Sequence, residues 1–298
     1  MNAIGVDIGG TKIAAALIED NGTFYNRIEE ATKTEDSETL FDQVVALIQR
    51  VLDETKVDIL QLKGIGLGVP GKVDHMNGVA LSQNNIPWPN FPIVDRLSKV
   101  FPGVSIVIDN DVKVAAVAEQ TVNPQTAKES TFTYITISTG IASASIIDSK
   151  IVRGSGFTGE IGFYPVRLHD GSYVRLEEFA SGPGIQRAGN KLIKEGTSTA
   201  EVFDKYHEKD ERAVAIIEER AKATAEAIYA HIMILDPQVI VLGGSVINYQ
   251  PVYVERIKAY LKELIVPEQV HILDNIMVSE IGGHNGIIGA GCIAIENC

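Results

Sequence analysis

Cysteine is nearly missing from this chain. Of 298 residues only Cys292 and Cys298 are cysteines, both close to the C-terminus. Such a pair cannot staple a fold, and free thiols of this kind suit a reducing cytosol. Long apolar runs are missing too. No stretch of about 18 apolar residues occurs, so no membrane span is expected. Met1 leads straight into NAIGVDIGGTK, without the basic start, apolar run and cleavage site of a secretory signal. The expected location is therefore cytoplasmic. Basic residues are in deficit, 26 Lys+Arg against 39 Asp+Glu, which leaves a net charge of −13. A surface of that sign repels phosphate backbones and argues against general nucleic-acid binding. It does not exclude a nucleotide, because a local nest of backbone N–H groups holds phosphates whatever the net charge.

What remains is an ordinary globular composition, 45% hydrophobic and 22% charged, in a chain long enough for two lobes. The first thirty residues read as three strands, with Asp20-Asn21-Gly22 as a hairpin turn. Leu40, Val44, Leu47, Ile48, Val51 and Leu52 recur at helical spacing and predict a helix over 37–55. GIGLGVPG (64–71) reads as a buried strand ending in a Gly-Pro loop. Residues 104–109 read as another, with a helix over Val112–Gln120. This order indicates a layered α/β lobe. TYITISTGIASASIIDSK (133–150) then resembles AIGVDIGGTKIAAALIEDNG (3–22): strand, small-residue turn, apolar strand, polar hairpin. The repeat suggests a duplicated lobe and a cleft between the copies. A long helix at about 209–235 precedes the strand QVIVLGG (238–244), and a last helix is expected after a loop GGHNGIIGAG (282–291). No linker-like segment separates the lobes, so one shared interface is expected.

Five segments carry chemistry. In DIGGTK (7–12), Gly9 and Gly10 allow a sharp turn whose amides can cradle a phosphate, Thr11 adds a hydroxyl and Lys12 a cation. Asp7, at a strand end, is suited to orient a hydrated Mg²⁺. An ordinary hairpin turn with a surface lysine accounts for Gly-Gly equally well. STG (138–140) is the matching turn of the second repeat, with the same alternative. In IDNDVKVAAVAE (108–119) a buried strand ends in Asp109, Asn110 and Asp111, and a helix starts at once. Asp111 fits an N-cap. It also fits a general base, because a helix N-terminus favours the ionised carboxylate such a base needs. GEIGF (159–163) places Glu160 between glycines, either bonded to backbone or accepting from vicinal sugar hydroxyls. VLGGS (241–245) ends a strand in Gly243 and Gly244, where a flat adenosine or a close helix would fit.

The ordered set DIGGTK, GVPG, NNIPW, DNDVKVAAVAE, STG, GEIGF, LEEFASGPGI, DPQVIVLGGS and GIIGAG resembles the ROK family over nearly the whole chain. The resemblance implies an α/β, two-lobed actin/hexokinase-like (ribonuclease H-like) ATPase fold with duplicated lobes. It places a sugar and phosphate lobe at 1–118 plus 286–298 and a nucleotide lobe at 119–285. It implies an ATP:sugar phosphotransferase using ATP and Mg²⁺ on a hexose hydroxyl, O6 of glucose or N-acetylmannosamine, with a β-glucoside kinase as the alternative. Asp111 would be the catalytic base. Asn85, Asn110, Asp111, Glu160 and Glu177 match sugar contacts, Glu178 competing with its neighbour Glu177. Gly9, Gly10, Thr11, Lys12, Thr139 and Gly140 match the phosphate grip, and Gly243 and Gly244 the nucleotide side. A homodimer is also implied.

Two departures stand out. The usual zinc site of the family needs a His after GEIG and a cysteine cluster before LE. Phe163 takes the His position, residues 164–176 contain no Cys, and His169 reads as a solvated loop residue. No zinc is expected, and the loop without its metal should gain freedom. In the second phosphate turn Ser138, Ala142 and Ala144 stand where glycine is usual. A sugar-sensing repressor of the same family would need an N-terminal helix-turn-helix. With the motif starting at Asp7, none is expected here.

Overall fold

The computed structural model describes residues 1–83 and 85–296. Asn84, in the NNIPW segment, and Cys298 lie outside the described residues. The chain divides into two compact units. The first takes residues 1–128, 151–158 and the C-terminal stretch from Ile281; the second takes 129–150 and 159–280.

In the first unit β1 (Asn2–Ile8), β2 (Lys12–Glu19) and β3 (Phe24–Ala31) form an antiparallel meander. The Asp20–Gly22 turn is closed by Gly22, at φ 83°, donating to the Glu19 carbonyl. Helix α1 (Ser37–Thr55) starts at Asp36, whose carboxylate accepts from the Glu38 and Thr39 amides, and buries its apolar stripe. Strand β4 (Gly64–Val69) is buried at every residue. The short β5 (Lys72–Asp74) and β6 (Val79–Ser82) form a hairpin, α2 (Ile93–Val100) follows, and β7 (Ser105–Asn110) runs directly into α3 (Asp111–Val122). The sheet order is β3-β2-β1-β4-β7, with β1, β4 and β7 parallel. Trp88 is wholly buried, stacks on Phe91 and donates its indole N–H to the Ser37 carbonyl, so it serves the core.

The second unit is built from β8 (Thr131–Ile137), β9 (Ile141–Ile147) and β10 (Lys150–Ile151). A small hairpin follows, β11 (Pro165–Arg167) with β12 (Tyr173–Arg175). Then come α4 (Leu176–Ala180), α5 (Gly182–Leu192), α6 (Thr199–His207) and the long α7 (Glu211–Leu235). Strand β13 (Val239–Gly243), α8 (Ser245–Tyr249), α9 (Pro251–Leu264), α10 (His271–Asp274) and β14 (Ile276–Val278) complete it. Its sheet order, β10-β9-β8-β13-β14, repeats the first: an antiparallel edge, then parallel strands. The duplication read from the two hairpin segments is thus present at the level of whole sheets.

The chain returns to the first unit as α11 (Asn285–Glu296). Sequence reasoning makes 282–291 a loop before this helix, and the structure corrects that. Gly286, Gly289 and Gly291 are helical. A Cβ on Gly289 would stand 1.7 Å from the Val114 carbonyl oxygen of α3, so glycine is kept for close approach despite its low helix propensity. Cys292 is buried in this helix, and burial pushes its thiol up to about 11.

Candidate active site

Parallel strands present their carboxyl ends on one edge of a sheet, where α/β proteins bind ligands. In the first unit the pairing Asp7–Gly68–Asp109 forms one row at that edge, and Asn110 and Asp111 follow immediately. A Cβ on Gly68 would lie 3.8 Å from both the Asp111 Cα and an Asp7 oxygen, so this glycine sits between the Asp111 backbone and the Asp7 carboxylate.

Asp111 is not the N-cap. The cap is Asn110, whose side-chain oxygen accepts from the Val112 and Lys113 amides at 3.1 and 3.3 Å; Asp111 is the first helical residue. Asn110 is extended (φ −65°, ψ 142°), as an N-cap must be, and so turns its side chain onto the helix start. Its Nδ2 donates to the Gly71 carbonyl and to Asp111 Oδ1, both at 2.9 Å, which ties the GVPG loop to the carboxylate. Asp111 Oδ1 also accepts from the Val112 amide at 2.9 Å. Every polar valence of the Asn110 amide is filled inside the unit, so a sugar contact from it would have to displace one of these bonds.

Asp7, next to last in β1, lies beneath the start of α11. A Cβ on Gly286 would come within 2.3 Å of the Asp7 carboxyl carbon. Burial raises the Asp7 pKa from 3.8 to about 6, against the lowering pull of Lys12 and Arg27, with Glu29 adding a smaller rise. In the adjoining turn the Gly9 amide donates to the Lys12 carbonyl at 2.9 Å, so Gly9 shapes the turn while Gly10 and the exposed Thr11 form its tip. Gly10 lies against Asn85: a Cβ there would be 2.5 Å from the Asn85 Cβ. Lys12 is solvent-facing and pairs with Glu29 at 3.1 Å. The first unit thus gathers Asp7, Gly9, Gly10 and Asn85 with Asn110 and Asp111 at one sheet edge.

The second unit gathers the rest. Ser138, Thr139 and the Gly140 turn join β8 to β9, and the Ser138 hydroxyl meets that of Ser245 at 2.9 Å, next to Gly243 and Gly244. Gly244 sits at φ 91°, and a Cβ there would be 2.5 Å from the Ile137 carbonyl oxygen. These turns open on a cavity of about 330 Å³ walled by Thr139, Pro183, Gln186, Thr199 and Tyr249. Ala144 is buried in β9, away from the turn tip. Glu177 accepts from the Ile141 amide at 3.0 Å and lies 2.6 Å from where a Gly140 Cβ would be. Gly162, two residues after Glu160, packs on the Glu177 Cβ, so the GEIGF turn and the STG turn share Glu177. Glu178 is exposed one position on, with its carbonyl held by Arg187.

The loop after GEIG is not loose, contrary to the sequence expectation. β11 and β12 pair in register, Leu168 and Ser172 close the turn, and Asp170 accepts from the Ser172 amide and hydroxyl. Phe163 lies beneath the Arg175 guanidinium at 4.4 Å. His169 is almost wholly exposed, 3.5 Å from Glu219. Among the described residues no group of three His, Cys, Asp or Glu side chains is placed to hold a metal ion. Among the described residues no helix is long and apolar enough to cross a membrane. Of the residues around these candidate sites, Tyr249 lies in none of the sequence motifs, while Ser245 ends VLGGS and Gly286 opens GIIGAG without being singled out there. Only the Gly-Gly before Ser245 and the glycine spacing of α11 hint at them.

Three relatives extend over most of the chain. A glucokinase of Halalkalibacterium halodurans is 27% identical, covering 97% of this chain and 93% of that protein. An N-acetylmannosamine kinase of Escherichia coli is 30% identical, covering 97% of each. A xylose repressor of Caldicellulosiruptor bescii is 24% identical over 98% of this chain but 77% of its own length. Among solved structures, a ROK hexokinase from Thermus thermophilus superposes with a TM-score of 0.86 at 26% identity, covering both chains completely, and its architecture is the two-lobed α/β fold described above. The ROK family model matches residues 3–297, and with these relatives it shows that the chain belongs to the ROK family.

Proposed function

We propose that the protein is a sugar kinase that transfers the terminal phosphoryl group of ATP to O6 of a hexose, glucose or N-acetylmannosamine. The observation that carries this reading is the Asn110 latch, which fixes the Asp111 carboxylate at the carboxyl edge of β1, β4 and β7. Asp111 takes the hydroxyl proton as the sugar oxygen bonds to the γ-phosphorus; the bond to the β,γ-bridging oxygen breaks and ADP leaves. Asn85, Glu160 and Glu177 bind the sugar, with Asn110 acting through Asp111. Gly10, Thr11, Lys12, Thr139 and Gly140 grip the phosphates, while Gly243 and Gly244, just before Ser245 of the cavity wall, lie on the nucleoside side. In this reading the first unit is the sugar and phosphate lobe, the second the nucleotide lobe, and the enzyme is a cytoplasmic homodimer.

Magnesium fits the donors present. Asp7 is one carboxylate, partly shielded and walled by glycine, as suits an ion that keeps most of its waters and is otherwise held by nucleotide phosphates. Bound there, Mg²⁺ would neutralise charge on the β- and γ-phosphates.

A coupled assay with ATP across glucose, N-acetylmannosamine and cellobiose tests the reading. We expect kcat/KM to be highest for one of the first two; efficient turnover of cellobiose would move the assignment to a β-glucoside kinase. Turnover of no sugar, with sugar binding retained, would favour a regulator, the class of the repressor among the relatives. Activity is expected to need Mg²⁺ and to survive a zinc-selective chelator, because β11–β12 is held by backbone bonds. Elemental analysis returning one tightly held zinc per chain would refute the second half.

A further inference from the structure

The first unit holds a second polar cavity, apart from the residues assigned above. It encloses about 290 Å³ between the β5–β6 hairpin, the end of β7, the first turn of α3 and the 153–156 loop. Its charged lining is three cations, Lys72, Lys113 and Arg153, against two carboxylates, Asp74 and Asp109, with His75 at the rim. In a chain of net charge −13 this local excess of positive charge is unusual.

Both carboxylates are already occupied. Asp109 is 3% exposed; one oxygen accepts from the Asn110 amide at 2.8 Å and the other from Arg153 Nε and Nη2 at 2.9 and 2.6 Å. Asp74 accepts from the backbone and side-chain amides of Asn77. Lys113 is the exception. It is 5% exposed and lines the cavity, yet among the described residues its ammonium has no hydrogen bond and no carboxylate within salt-bridge reach. Arg153 gives only two of its nitrogens to Asp109, leaving donors on Nη1. The Lys113 side chain is buried along its length but its ammonium reaches the cavity, so with Arg153 Nη1 it presents unused donors to that space, and what complements them is an acceptor with negative charge.

We propose that this cavity is a binding site for a small phosphate-class oxyanion, either inorganic phosphate or the phosphoryl group of a metabolite. Lys113 supplies a donor from the cavity wall, Arg153 an oriented donor already braced by Asp109, and the exposed Lys72 the mouth. The site is independent of the kinase reading, since none of these side chains is assigned to sugar or nucleotide.

The test is thermal unfolding and calorimetric titration of the whole protein with inorganic phosphate and, separately, glucose 6-phosphate. Wild type should gain Tm with at least one of them at tens of millimolar. Similar affinity for both points to the free anion, and much tighter binding of the ester to a phosphorylated metabolite. Lys113→Met should weaken the responding ligand about tenfold or more. In phosphate-free buffer it should leave Tm near that of the wild type, because the ammonium faces the cavity and no protein partner is lost. Lys12→Ala should keep the response, which separates this site from the phosphate grip at 9–12. Should Lys113→Met fail to fold, the exposed Lys72→Ala serves instead and should weaken binding several-fold. No response of the wild type to either ligand, or a response unchanged in the Lys113 and Lys72 variants, overturns the proposal.

Discussion

Asp111→Asn is expected to lower kcat roughly 10²–10⁴-fold while the affinities for sugar and ATP stay near those of the wild type, because only proton acceptance is removed. The substitution is nearly isosteric. The α3 cap belongs to Asn110, so the helix start survives. An amide oxygen at position 111 can still accept from the Val112 amide and from Asn110 Nδ2, the two donors that meet Oδ1. What is lost is one negative charge at the first turn of a helix, a term of about 0.3–1 kcal/mol. The variant should therefore be folded, slightly destabilised and almost inactive. Asn110→Ala makes the contrast. It removes the cap, at about 1 kcal/mol, and frees the Asp111 carboxylate to rotate, so turnover and Tm should fall together. Steady-state kinetics beside thermal unfolding separates the two. If Asp111→Asn keeps most of its turnover, Asp111 is only a helix-terminal residue and the general-base assignment fails.

The contrast between Asn110 and Asp111 also marks how far sequence could be read. The segment IDNDVKVAAVAE announces a strand, a polar corner and a helix, and the structure has all three. Which of the consecutive polar residues caps the helix depends on where the chain leaves the sheet. That is fixed by the parallel register of β7 on β4, which pairs Val69 with Asn110 and cannot be seen locally. The repeat was legible because hairpins are local and leave paired apolar runs in the sequence. The whole-sheet duplication is non-local, since β13 joins β8 from about 100 residues downstream and β14 then pairs with β13. Gly286, Gly289 and Gly291 misled in the opposite sense. Glycine spacing reads as a loop, but here close contact of α11 with Asp7, α3 and β2 outweighs a propensity cost of about 1 kcal/mol per glycine. The 165–175 segment went astray for a related reason. Without its cysteines it looked unrestrained, yet three residue pairs of β-ladder and the Asp170 turn supply the restraint that a metal would otherwise give. Lys113 was illegible for a simpler cause: a lysine in the first turn of a helix is exposed by default, and only the packing of the β5–β6 hairpin and the 153–156 loop buries it.

Asp7→Asn should make the protein more stable and a poorer enzyme at once. The Asp7 pKa lies near 6 in the folded state against 3.8 as the ordinary value, chiefly because burial disfavours the charge. A folded pKa above the unfolded one favours folding while the group is protonated, below about pH 4. That contribution is lost as pH rises through about 6. At pH 7.5 the ionised Asp7 is therefore a net cost. A rise of about two units has a ceiling of about 3 kcal/mol, and the solvent Asp7 still touches reduces this to about 1–2 kcal/mol. Asparagine keeps the size that Gly286 was selected to admit, without the charge. The variant should unfold a few degrees above the wild type at pH 7.5, and the gap should close by pH 4. Activity should move the other way. With no charge to orient the hydrated cation on the phosphates, kcat/KM for MgATP should fall about 10–100-fold. Added MgATP should also raise the wild-type Tm more than that of the variant, since binding to the folded state alone stabilises it in proportion to affinity. A variant less stable than the wild type at pH 7.5, or a gap as wide at pH 4 as at pH 7.5, would show that Asp7 is held by its neighbours as a structural anion and not kept for a cation.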